Sequence, residues 1–104
     1  MTNPLRALIA AILLILVAHA ATNKSSLPAR GIIPDEPTAV KVAEAVLPPI
    51  FGSEEVTKYS PYHATLKDDV WTVYGTLKPG SRGGTPQMRI QKKDGKVIEI
   101  WHSQ

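Results

Sequence analysis

The sequence predicts an α+β domain: one N-terminal helix packed on a curved, four-stranded antiparallel sheet. Apolar residues recur at spacings of three and four between Val40 and Ile50, and from Val56 the period changes to two. Turn signals then divide the period-two region into hairpins. A helix followed by four strands in series curls the sheet over the helix.

Asp35 is a good helix N-cap, and Glu36 and Pro37 suit a first turn. A carboxylate favours the dipole there, and proline has no amide to leave unpaired. Val40, Ala43, Val46, Leu47 and Ile50 form the stripe expected to be buried, with Lys41, Glu44 and Ala45 opposite. Pro48-Pro49 should end or kink the helix, and Gly52 then permits a turn. Strand one alternates Tyr62, Ala64 and Leu66 with His63, Thr65 and Lys67. Lys67-Asp68-Asp69 turns the chain into strand two, Val70–Leu77. Trp71, Val73, Gly75 and Leu77 share one of its faces, and Val70, Thr72, Tyr74 and Thr76 the other. A polar, glycine-rich connection from Lys78 to Gly84 leads to strand three, Pro86–Lys92, with Met88 and Ile90 inward. Asp94-Gly95 reads as a type I′ turn into strand four, Lys96–His102, where either Ile98 and Ile100 or Val97 and Trp101 face the core.

The 104 residues suffice for one small domain but not for two domains, a large enzyme or a multi-span membrane protein. The N-terminus reads as a signal peptide over residues 1–20. Arg6 is the one basic side chain of a short n-region, the apolar run Ala7–Ala18 follows, and Ala18-His19-Ala20 is a small-x-small cleavage triplet. Twelve residues rise only about 18 Å, short of the ~30 Å hydrocarbon core. Cleavage before Ala21 is therefore expected, giving a periplasmic or secreted protein. The alternative is an N-terminal anchor in the inner membrane. Residues 21–31 read as a flexible leader, and the domain spans 32–104. With no Cys there is no disulfide framework and no lipid-bearing cysteine.

Little in the chain points to catalysis. No cysteine nucleophile exists, Ser81 lacks a nucleophile-elbow context, and Lys78–Thr85 joins two strands instead of opening a helix as a phosphate loop does. His63 and His102 fall on different strands and form no metal-ligand spacing. Glu54-Glu55 and Asp68-Asp69 read as solvated charge, not a converging acid/base pair. After cleavage eleven Lys/Arg face nine Asp/Glu, and the basic residues are too dispersed for a nucleic-acid surface. No cofactor or metal is expected, and no membrane contact beyond the signal or anchor segment.

The aromatics point to binding. Trp71 and Tyr74 lie three positions apart on one strand and so face opposite sides of the sheet. One side covers the helix while the other meets water or a partner. Tyr74 and Arg89, with Arg82 in the glycine-rich connection, are the candidate partner contacts, because Trp, Tyr and Arg dominate binding hot spots. The plainer alternative for Tyr74 is a cross-strand pair with Thr or Lys neighbours.

Several strings resemble the small NTF2-fold immunity proteins of bacterial polymorphic toxin systems. They are Ile33-Pro34-Asp35-Glu36-Pro37 running on through Leu47, Pro49-Ile50-Phe51-Gly52, Val70-Trp71-Thr72-Val73-Tyr74-Gly75-Thr76-Leu77, Gly83-Gly84, and Lys92-Lys93-Asp94-Gly95-Lys96-Val97-Ile98. The likeness covers about Ile33–His102 and carries no catalytic motif. It implies a cystatin/NTF2-like fold and a non-catalytic protein that binds and neutralises a cognate toxin. Pro48 departs from the pattern, as does the export leader, which requires a toxin acting in the cell envelope. A different class of function is a small secreted ligand-binding module or enzyme with a pocket between helix and sheet, using His63 or His102. A third is a structural or assembly-accessory domain.

Overall fold

The structure, a computed structural model, describes residues 27–103. The expected signal peptide, its expected cleavage site and residues 21–26 of the expected leader lie outside the described residues. The elements are α1 (Glu36–Phe51), α2 (Ser53–Lys58), β1 (His63–Lys67), β2 (Val70–Tyr74), β3 (Pro86–Gln91) and β4 (Val97–His102). The strands form one open antiparallel sheet in the order β1-β2-β3-β4, each paired with its sequence neighbour. The α+β class is as read from the sequence: one main helix lying across β1, β2 and β3 of a four-stranded sheet.

α1 begins where its cap is written. Asp35 has extended backbone, and its Oδ1 accepts from the Thr38 amide at 3.0 Å, satisfying a donor that the first turn cannot. The helix turns a slightly different face to the sheet than expected. Ala39, Ala43 and Leu47 are fully buried, Val40 and Val46 pack beside them, and Ile50 is 52% exposed. Nor do Pro48-Pro49 end it, since α1 continues to Phe51. Each proline removes one intrahelical donor, but both keep a helical φ and only Ile50 and Phe51 follow them in the helix. The Gly52 amide closes the last turn by donating to the Pro48 carbonyl at 2.8 Å.

Behind Gly52 the chain forms α2, where the sequence suggested only a turn and the approach to a strand. Its acids Glu54 and Glu55 sit in the first turn and Lys58 in the last, which complements the helix dipole at both ends. Val56, the inward residue of α2, is 4% exposed.

The β1–β2 hairpin turns on Asp68 and Asp69 with φ of 51° and 59°, the two positive values a type I′ turn needs. Asp tolerates this region better than most residues. At the β3–β4 connection the outcome differs from the two-residue turn expected. Of Asp94-Gly95 only Gly95 has positive φ, 73°, and the Gly95 amide donates to the Gln91 carbonyl at 3.0 Å across a longer loop. That loop presents two carbonyls to the segment entering α1. Ile32 and Ile33 donate to Lys93 and Lys92 at 3.1 and 3.0 Å, while Lys92 Nζ donates to the Arg30 carbonyl at 2.7 Å. The Trp71 indole also donates to the Ile33 carbonyl at 2.8 Å. The chain just ahead of α1 is thus tied to the sheet from Arg30 onward.

The core lies between α1 and one face of the sheet: Ala39, Ala43, Leu47, Val73, Met88 and Ile90, with Ile33, Val56, Tyr62, Ala64 and Trp71 around them. Strand three points inward as expected, with Pro86, Met88 and Ile90 buried. Strand two ends at Tyr74, short of Leu77, which is 39% exposed. In β4 a bulge separates Arg89↔Glu99 from Ile90↔Val97, leaving Ile98 without a Cα partner. Ile100, opposite Met88, is the β4 residue packed against the core.

Candidate functional site

Pairing register builds the outward face of the sheet. Residues directly opposite in antiparallel strands share a face, so Met88 inward puts its neighbours Gln87 and Arg89 outward. Gln87 pairs with Tyr74 and Trp101, and Tyr74 pairs with His63. The result is a transverse row, His63–Tyr74–Gln87–Trp101, crossing all four strands. The His63 and Tyr74 rings lie 5.9 Å apart and tilted. Beside it runs a polar row, Thr65–Thr72–Arg89–Glu99, in which Arg89 Nη1 is 3.5 Å from Glu99 Oε2. Those side chains are 40% and 54% exposed, so the pair is a weak tether worth at most about 1 kcal/mol. It leaves the guanidinium open to a partner. Among the described residues no element packs over this face.

Two of the three candidate contacts, Tyr74 and Arg89, therefore share the outward face as neighbours on adjoining rows. Arg82 lies elsewhere, in the connection between β2 and β3, lining a groove with Lys58 and Tyr59. Trp101 joins the face without having been singled out. Both alternating sets in β4 are apolar, so sequence alone left its phase open, and the bulge with the Met88↔Ile100 pair decides it.

The two histidines fall on opposite sides of the sheet. His63 is exposed in the outward row, whereas the His102 side chain is turned inward and only 7% exposed. They do not converge on one pocket. His102 instead fastens the end of β4 to α2: Nε2 lies 3.2 Å from Glu55 Oε1, Nδ1 lies 3.1 Å from the Ser103 carbonyl, and the rings of Phe51 and Tyr59 stand edge-on at 5.6 and 5.4 Å. A contact spanning 47 residues gives no local sequence signal.

The His102 hydrogen bond, helped by the charge of Lys58, holds the Glu55 carboxyl below the usual glutamate range despite some burial. A lowered folded value means that the stabilisation is complete above the unfolded value and is lost as pH falls through the folded one. Glu55→Gln is expected to flatten the acid limb of the stability curve, checked by urea melts from neutral pH down to pH about 3. Tyr62 responds at the other end. Burial pushes its phenol up to about 12, and the hydroxyl donates to the Val56 carbonyl at 2.8 Å. For a raised value the stabilisation is complete below the unfolded tyrosine range and disappears as pH climbs toward 12. Ultraviolet titration of the three tyrosines is expected to show one phenolate forming late, and Tyr62→Phe removes that phase.

Among the described residues the domain is a helix on a sheet with one bare, aromatic-bearing face. The chain belongs to the NTF2 fold immunity protein family, whose model matches residues 38–104, more than half of the chain. No curated protein and no solved structure matches it. Membership implies a toxin-neutralising role and a protein partner. No helix among the described residues is long and apolar enough to cross a membrane.

Proposed function

We propose that this protein neutralises a toxin acting in the cell envelope, without catalysis, by gripping it with the outward face of its sheet. The observation that carries this is the row His63–Tyr74–Gln87–Trp101 beside Arg89. Four short strands hold two large amphipathic rings and a guanidinium at fixed positions, so little side-chain freedom is lost when a partner docks. A standard interface of about 800 Å² per partner is within reach of such a domain. Residues 1–20 export the chain and cleavage before Ala21 releases it into the periplasm or the medium, with retention as an inner-membrane anchor the alternative. The pocket reading gains nothing from the histidines, which lie on opposite sides of the sheet.

The test is co-expression with the product of the adjacent gene, the place where an immunity protein's toxin is encoded. Growth arrest by that product, relieved by this protein in a co-purifying complex, is the expected result. An adjacent product that neither binds nor is relieved contradicts the proposal. Recovery of a periplasmic chain beginning at Ala21 tests the export step separately.

A further inference from the structure

Where the end of α2 meets the chain leaving β2, a groove of about 340 Å³ opens, near the lower end of the ~300–1,000 Å³ usual for ligand sites. Three cations line it, Lys58 from α2 and Lys78 and Arg82 from the β2–β3 connection, together with the Ser81 hydroxyl. No acidic side chain lines it, and among the described residues none of the three cations makes an ion pair. Glu55, which feels Lys58, already has its carboxylate bonded to His102. The Tyr59 ring, with Lys58 Nζ 5.5 Å from its centre, and the half-exposed Leu77 add apolar wall.

The approach of these elements is built in. Gly75 passes Tyr59 so closely that a Cβ there would lie 2.7 Å from the Tyr59 Cβ and 2.9 Å from its carbonyl oxygen. The Thr76 amide donates to that same carbonyl at 2.6 Å, and the Thr76 hydroxyl donates to the Pro61 carbonyl at 2.6 Å. The rim next to Tyr59 is therefore fixed by backbone. Glu55 offsets part of the Lys58 charge, but like charges gathered from two elements still repel one another, and an anion entering between them relieves that repulsion.

We infer that this groove receives an acidic stretch of a protein partner, with carboxylates against Lys58, Lys78 and Arg82 and an aliphatic side chain against Tyr59 and Leu77. The inference rests on the toxin-binding reading for the nature of the partner. The site itself stands on three cations that make no ion pair among the described residues and on the mixed wall. Arg82 offers the planar fork that takes a carboxylate bidentately. A concave site with an apolar wall favours a side-chain-bearing strand over the flat surface of a bilayer.

The probe is a labelled octapeptide of glutamates with one central leucine, titrated into the full domain by fluorescence anisotropy. Binding is expected to weaken severalfold between about 0.05 and 0.2 M salt. It should weaken at least about tenfold in the Lys58→Gln/Lys78→Gln/Arg82→Gln variant, and survive Lys58→Arg/Lys78→Arg. All three side chains are exposed, so an unchanged thermal melt confirms that the fold is kept. The inference is overturned if the wild type ignores the peptide or the neutralised variant binds it equally. It is also overturned if inorganic phosphate alone displaces the peptide, which marks a single-oxyanion site. Binding of phosphatidylglycerol vesicles through the same residues without peptide binding overturns it in favour of a lipid surface. Because the probe is not the toxin, failure here and failure of the adjacent-gene experiment are told apart.

Discussion

Replacing Tyr74 and Trp101 together by alanine is expected to weaken binding of the toxin by about 2–4 kcal/mol, roughly 30- to 1,000-fold in Kd. Both rings stand on the outward face, joined through Gln87, and neither belongs to the core. Their removal takes amphipathic contact area from the centre of the proposed interface while leaving the helix-facing layer intact. The cost to folding is confined to cross-strand neighbours, about 0.2–1 kcal/mol for each pair lost. Calorimetric titration of the purified complex reads the affinity, and far-ultraviolet circular dichroism reads the fold. Ile50→Ala serves as the control: the side chain is exposed but lies on α1, on the other side of the sheet, and its removal leaves affinity unchanged. A double variant that binds as tightly as the wild type contradicts the assignment of the face.

Leu47→Ala is the second large effect, and it falls on stability. Leu47 is fully buried among the side chains between α1 and the sheet, so truncation loses transfer free energy and leaves a cavity that rigid strands cannot close. The expected loss is about 2–5 kcal/mol, against a total of roughly 4–12 kcal/mol for a domain of this length. The loss is a large fraction of the total, and at the lower end of that range it brings the variant to its unfolding midpoint. Ile50→Ala, three positions along the same helix, is expected to change stability by less than about 0.5 kcal/mol. Urea denaturation of both variants checks the contrast. Equal losses would place Ile50 in the buried stripe beside Leu47, as the sequence spacing suggests, and would contradict its exposure in the structure.

That contrast shows where sequence reading stops. The cap at Asp35, the Asp68-Asp69 turn and the inward phase of Met88 and Ile90 were legible because each depends on residues within a few positions. Ala43 and Leu47 were read into the helix stripe and are buried; Ala39 was missed because alanine carries little hydrophobic weight. Valine and isoleucine nearby drew the reading toward Ile50, which the sheet leaves uncovered. α2 escaped because six residues make fewer than two helical turns, too few for a spacing to repeat. Its one signal was electrostatic, Glu54 and Glu55 at the start and Lys58 at the end, and it was read as mere solvation.

For the candidate sites the pattern is similar. Tyr74 and Arg89 could be placed on one face from strand parity alone. Trp101 could not, since Val97, Ile98, Ile100 and Trp101 make both phases of β4 equally apolar until the bulge at Ile98 is known. The basic groove unites Lys58 with Lys78 and Arg82 only through the packing of Gly75 on Tyr59, a tertiary contact. Likewise the Glu55–His102 bond depends on where the last strand ends.

The chain carries two tryptophans, one on each side of the sheet, and they make an internal comparison for the central claim. Trp71 is 7% exposed with its indole donating to the Ile33 carbonyl, while Trp101 stands in the outward row. The most direct measurement is a two-dimensional nitrogen–proton spectrum of the labelled protein, titrated with the adjacent gene's product until the complex is saturated. The Trp101 indole resonance is expected to shift or broaden while the Trp71 resonance stays in place. A saturated complex in which Trp101 is unmoved, or in which Trp71 alone responds, would contradict binding through the outward face.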